Sequence, residues 1–159
     1  MKKQKNIIYF IVAFILCQGT GIIGSVFTIS AIPDWYAGLT KPSFSPPNWL
    51  FGPVWLTLYT LMGIALYLIW QKKGQDKKRQ LVSRLFLVHL FFNALWSILF
   101  FGLKNPLLGL LDITVLWLMI VILTVKFWQT ERAAGLLLVP YLLWVSFASL
   151  LNFFIWRLN

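Results

Sequence analysis

No charge interrupts the chain between Lys5 and Asp34, and four more long apolar runs follow it. A helix needs about 20 apolar residues to cross the hydrocarbon core of a bilayer. By that measure spans fall at about 7–32, 49–70, 85–103, 106–125 and 133–156. Inside a bilayer only helices and closed barrels satisfy their own backbone, and runs of this length read as helices. The expectation is an all-α integral membrane protein: one domain, residues 1–159, built as a bundle of five transmembrane helices. Composition agrees, since 60% of the 159 residues are hydrophobic and only 11% charged, against about 25% charged in soluble domains. The first run, preceded by Lys2, Lys3 and Lys5, is too long for a signal-peptide core of roughly 7–15 residues and is kept as a span.

The net charge of +10 does not point to nucleic acid, because the basic residues lie between apolar spans and form no module of their own. It points to membrane orientation and anionic lipid. With five spans the termini lie on opposite sides. Of fourteen Lys and Arg, only Lys41, Lys104 and Arg157 fall on the side of the first loop. The positive-inside bias then places the N-terminus in the cytoplasm and the C-terminus outside, in the cell membrane. Cys17 is the single cysteine, which excludes an intrachain disulfide and a cysteine-based metal site. No cofactor or metal is expected.

Between the first two spans lies WYAGLTKPSFSPPNWLFGPVW (Trp35–Trp55), with four prolines, three tryptophans and one charge. Proline fixes its own φ, removes a donor and pushes the preceding residue away from helix. A stiff, structured loop results, read as a lid over a membrane-embedded pocket. Among the nine tryptophans, Trp35, Trp49, Trp70, Trp128 and Trp156 fall at span ends, where an interfacial belt explains them. Trp55, Trp96, Trp117 and Trp144 lie within spans.

Depth along a helix is countable at 1.5 Å per residue. Asp112 follows Lys104 by two turns, about 12 Å, and Trp96 precedes Lys104 by the same distance. Asn93 shares a face with Trp96; Trp144, Ala148 and Asn152 share another, and Trp55 and Tyr59 a third. All can meet beneath the lid. Asp112 is the only carboxylate within a span, and such a group faces the bundle interior. It reads either as a polar anchor for a ligand or as a structural hydrogen bond to Trp96 or Asn93. His89, the only histidine, sits about three turns away in depth and reads as an interfacial or packing residue. That separation excludes hydrolase chemistry, which needs nucleophile, base and carboxylate within hydrogen-bond reach. Pro140 favours a bend in the fifth span. Cys17, Gly21 and Ser25 recur at four-residue spacing, a small stripe that permits close contact with another span or a second copy. The cavity so drawn suits a flat, hydrophobic ligand with a few polar groups.

The segment WYAGLTKPSFSPPNWLFGPVWLTLYTLMG (Trp35–Gly63) resembles the signature of the translocator protein family, also called tryptophan-rich sensory protein or peripheral-type benzodiazepine receptor. NALWSILFFG (Asn93–Gly102), Asp112 and VPYLLWVSFASLLNFFIWRLN (Val139–Asn159) extend the likeness over essentially the whole chain. The resemblance implies a membrane receptor that binds porphyrins and isoquinoline or benzodiazepine-type ligands beneath the first loop, and a homodimer. Carried over by position, it implies ligand-binding roles for Tyr36, Pro46, Trp55, Asn93, Trp96, Trp144 and Ala148. Trp55 and Trp144 would also be the catalytic indoles if the protein degrades porphyrin in light, and transport of the ligand is a third reading. Two departures stand out. Phe44 replaces a lid tryptophan, and Phe153 replaces the tyrosine of the cholesterol motif of animal members, so cholesterol is not the expected ligand.

Overall fold

A computed structural model describes residues 2–74 and 76–159, with side chains from Gln4 onward. Among the described residues 89% are helical and none is in a strand. The five long helices are α1 (Lys2–Ala31), α2 (Phe51–Gln71), α3 (Asp76–Ser97), α4 (Pro106–Thr130) and α5 (Arg132–Leu158). Each is long and apolar enough to cross a membrane, and together they make an all-α integral membrane fold. Wide π-type turns extend α1 through Ile32–Tyr36 and α3 through Ile98–Gly102, while a tight 3₁₀ turn, Asn48–Leu50, leads into α2.

The helices outrun the apolar runs that announce them. α3 begins at Asp76 and α4 ends at Thr130, because backbone hydrogen bonding carries on into polar turns that hydropathy does not count. Their ends have local causes. Pro106 stands at the first turn of α4, and the Asn105 side chain accepts a hydrogen bond from the Leu108 amide at 3.0 Å, capping an otherwise orphaned donor. Glu131 alone separates α4 from α5, with extended backbone at φ −148° and ψ 112°. Gly74 closes the turn after α2 at φ +76°, a conformation glycine adopts without steric cost. Pro140 lies inside α5, which runs without interruption from Arg132 to Leu158.

α5 packs on α4 and α2, α3 on α4 and α1, and α1 on α2. Close approach needs small residues. A β-carbon on Gly135 would sit 2.7 Å from the backbone of Trp128, and one on Gly63 would sit 3.3 Å from the Phe14 backbone. The core divides in two. Towards the end that carries the short α2–α3 turn, Cys17, Met62, Leu66, Phe86, Ile120, Phe127 and Leu138 form one buried cluster. At the opposite end Ala31, Tyr36, Phe100, Phe101, Leu151 and Ile155 form a second. Between these clusters the helices do not close on one another, and a cavity remains. The outward faces carry Ile15, Phe91, Leu111, Leu118 and Leu143, all exposed, as a lipid-facing surface requires.

Candidate functional site

The cavity has a volume of about 490 Å³, within the roughly 300–1,000 Å³ of small-molecule sites. α2 supplies Phe51, Trp55, Leu56 and Tyr59, and α3 supplies Asn93, Trp96 and Ser97. α5 adds Trp144, Ala148, Leu151 and Asn152, and α1 closes the remaining side with Gly21, Gly24, Ser25 and Thr28. Tyr36, Asn48 and Trp49 complete the wall at the loop end. Small residues on α1 create room. A β-carbon on Gly21 would collide with the Tyr59 ring, and one on Gly24 with Ser97. The small stripe that includes Cys17 and Gly21 thus packs against another span of the same chain: Cys17 enters the core, and Gly21 faces Tyr59.

Aromatic rings dominate the wall. Trp55 stacks on Tyr59 with centroids 5.4 Å apart and meets Tyr141 edge-on at 6.2 Å. Trp144 lies edge-on to Phe51 at 5.9 Å, and Trp96 stacks on Phe100 at 5.2 Å. Polar groups are few and mostly tied down. The Tyr59 hydroxyl donates to Asn93 Oδ1 at 2.6 Å, Trp96 Nε1 donates to Asn152 Oδ1 at 3.1 Å, and Asn152 Nδ2 donates to the Pro106 carbonyl at 2.8 Å. Gln18 reaches from α1 to the Thr60 hydroxyl of α2 at 3.0 Å. Trp144 Nε1 is different: it is buried and has no acceptor among the described residues.

Six of the eight residues singled out as ligand-binding in the sequence, Tyr36, Trp55, Asn93, Trp96, Trp144 and Ala148, stand in the cavity wall. Pro46 and Asp112 stand outside it. Asp112 is buried, and neither carboxylate oxygen has a hydrogen-bond partner among the described residues. The expected lock to Trp96 or Asn93 does not form, because Trp96 is engaged by Asn152 and Asn93 by two tyrosines. Trp117 also lies apart from the cavity, its indole donating to the Ser146 hydroxyl at 2.7 Å. Trp49 is 71% exposed, as a belt residue should be, yet it also lines the cavity mouth. Trp35 packs edge-on against Phe100 and Phe101.

Sequence reasoning missed Tyr141 and read His89 only as an interfacial or packing residue. Both are buried behind Trp55, joined by a 2.8 Å hydrogen bond. Tyr141 lies one turn before Trp144 on the same helix face, and that spacing was the available signal. The loop itself is pinned to α5. Phe44 meets Phe147 and Phe154 edge-on at 6.2 and 5.5 Å, and Thr40 exchanges two backbone hydrogen bonds with the Asn159 side chain at 2.9 and 3.0 Å. Lys41 sits 4.7 Å over the Tyr36 ring. Asn48, Trp49 and Phe51 at the cavity mouth therefore follow directly on a segment fixed to α5.

The chain is similar to known membrane-protein relatives over nearly its whole length. The TspO/MBR family model matches residues 13–157. The tryptophan-rich protein TspO of Archaeoglobus fulgidus is 48% identical over 154 residues, covering 97% of this chain and 99% of the relative. The translocator protein of Homo sapiens is 38% identical over 148 residues, covering 92% and 88%. The tryptophan-rich sensory protein of Cereibacter sphaeroides is 37% identical over 126 residues, covering 79% and 77%. With the family model matched over residues 13–157 and relatives aligned over nearly its whole length, this chain belongs to the TspO/MBR family.

Proposed function

We propose that this protein is a membrane receptor for porphyrins of the protoporphyrin IX type and for flat hydrophobic molecules such as isoquinolines and benzodiazepines, acting in tetrapyrrole sensing or handling. The observation that carries the reading is the cavity wall, where Trp55, Trp96 and Trp144 from three helices converge on one space. Indole faces offer large, rigid stacking surfaces, and few polar groups there demand a partner. Trp144 Nε1 is the exception. That nitrogen is closed off from the cavity space as well as from acceptors among the described residues, so Trp144 offers a ligand its indole ring rather than its N–H. Tyr36, Asn93 and Ala148 complete the contact surface, and Pro46 acts through the rigidity of the loop. The receptor works as a homodimer in the cell membrane, N-terminus in the cytoplasm.

Titrating protoporphyrin IX into the purified protein tests this directly. Saturable quenching of tryptophan fluorescence is expected. Trp144→Phe should weaken binding about tenfold, the effect of about 1.4 kcal/mol, and Trp55→Phe by a comparable factor. Absence of saturable quenching in the native chain would refute the reading.

A further inference from the structure

Behind the cavity a chain of buried side chains leads from Tyr59 to His89. The Tyr59 hydroxyl donates to Asn93 Oδ1 at 2.6 Å, and Asn93 Nδ2 donates to the Tyr141 oxygen at 2.9 Å. Tyr141 lies 2.8 Å from His89 Nε2, and His89 Nδ1 lies 3.2 Å from the Phe86 carbonyl. A carbonyl only accepts, so Nδ1 carries the imidazole proton and Nε2 presents a lone pair. The Tyr141 oxygen already accepts from Asn93, so its own hydrogen is directed to Nε2. The result is a phenol held against a base, with both residues 1% exposed.

Tyr59 has no comparable partner, because an amide oxygen is a poor proton acceptor. The two tyrosines nevertheless flank the same indole. Trp55 stacks on Tyr59 at 5.4 Å and contacts Tyr141 at 6.2 Å, with an interplanar angle of 65°. Tyr141 in turn meets the His89 ring at 5.4 Å. Packing alone does not ask for this: a phenylalanine at 141 would fill nearly the same volume and leave no hydroxyl to satisfy.

We propose that Trp55, Tyr141 and His89 form a proton-coupled hole relay that drains oxidising equivalents from the cavity wall. A photo-oxidant seated against Trp55 takes one electron from the indole and is itself reduced by one electron. Tyr141 then gives one electron to the Trp55 radical cation and restores the indole. As it does so its O–H bond breaks, and the proton crosses the 2.8 Å hydrogen bond to His89 Nε2. The products are intact Trp55, a neutral Tyr141 radical and an imidazolium at His89, so the step leaves the net charge of the three residues unchanged. Its direction follows from chemistry: a phenol that sheds its proton as it loses an electron is oxidised more easily than an indole. Return of one electron from the reduced photo-oxidant to the Tyr141 radical, with the proton coming back from His89 Nε2, resets the pair. The inference rests on the reading above only in taking the photo-oxidant to be of the porphyrin class.

Two arms of one experiment separate the two claims. In the first, a UV laser flash photoionises the indoles of the ligand-free chain in lipid nanodiscs, and transient absorption follows tryptophan and tyrosyl radicals. The native chain should show tyrosyl growth as the tryptophan signal decays. Tyr141→Phe should lower the tyrosyl yield about tenfold, as should His89→Gln, which keeps an acceptor but takes up no proton; a tenfold rate loss is about 1.36 kcal/mol on the barrier. Tyr67→Phe should keep the native yield. Because Tyr141→Phe strands the Asn93 amide, a readout on the native chain stands beside it: full exchange into D₂O should slow tyrosyl growth. A tyrosyl yield that survives in Tyr141→Phe or His89→Gln, or growth indifferent to D₂O, overturns the relay. In the second arm, protoporphyrin IX is added and excited in its visible band, with mass spectrometry scoring oxidised Trp55. More Trp55 damage in Tyr141→Phe than in the native chain supports the relay, and equal damage with porphyrin bound counts against it. If porphyrin does not bind, the receptor reading fails and the relay is judged on the ligand-free arm.

Discussion

Asp112 is the residue whose surroundings least resemble what its chemistry asks for. It is the only carboxylate within the apolar spans, it is buried, and neither oxygen has a partner among the described residues. An unmet buried polar group costs about 1–3 kcal/mol, and replacing it by an apolar group of similar shape removes that cost. Asp112→Leu should therefore raise the thermal stability of the protein in detergent by about 1–3 kcal/mol while leaving porphyrin quenching unchanged, since the residue stands outside the cavity wall. A fall in stability in a melting experiment would show that the carboxylate has a partner supplied from elsewhere. Asn93 is the opposite case. Its amide joins Tyr59 to Tyr141, so both its hydrogen-bonding ends are used. The sequence identified Asn93 from its place one turn from Trp96, but not its partners, because a spacing states which face a residue shares and says nothing of what that face meets.

Among the elements, the α4–α5 pair is joined most tightly, through a single extended residue, and that tightness depends on Gly135. An added β-carbon there would lie 2.7 Å from the Trp128 backbone, and backbone cannot swing aside as a side chain does. Gly135→Ala should cost at least the 1–3 kcal/mol typical of overpacking, read as a lowered melting temperature, whereas Gly38→Ala, with open space at its β-carbon, should not. The same turn carries the Lys72–Glu131 pair, 2.6 Å apart, which ties the end of α2 to the α4–α5 junction. The hydrogen bond from Lys72 holds the Glu131 carboxyl below its ordinary value of 4.5. A carboxyl depressed in the folded state stabilises at pH above its unfolded value and loses that contribution as pH falls through the folded one. Glu131→Gln should thus lower the melting temperature slightly at pH 7, and the difference from the native chain should shrink as pH falls below 4.5 and vanish once the pH is under the depressed folded-state value. The pair is partly exposed, so the effect is small and should shrink further in high salt.

At the scale of the whole molecule, most of the positive charge and the cavity lie at opposite ends. Lys72, Lys77, Lys78, Arg79, Arg84, Lys126 and Arg132 all belong to the end carrying the α2–α3 turn, while Tyr36 and Asn48, on either side of the loop of residues 39–47, line the cavity. The positive-inside rule turns this polarity into a topology. A reporter fused after Asn159 should be active only outside the cytoplasm, and one placed in the α2–α3 turn only within it. The opposite pattern would put the cavity mouth on the cytoplasmic side.

Five spans, their approximate limits and the charge asymmetry were all legible in the chain, because each depends on local hydropathy and on where charges interrupt it. The candidate wall was legible in part. Depth along a helix follows from counting residues, so Trp55, Asn93, Trp96, Trp144 and Ala148 could be placed at a common level. Rotation about the helix axis could not be counted. A helix that is apolar on every side gives no signal for which face turns inward, and so Asp112 and Trp117, at comparable depth, lie outside the cavity, while Tyr141 and His89 make a buried pair behind it. What the sequence by itself determined is the number of the helices and the polarity of their ends. Only tertiary packing, through glycines such as Gly21 and Gly135 that set how closely neighbours approach, decided which side chains meet.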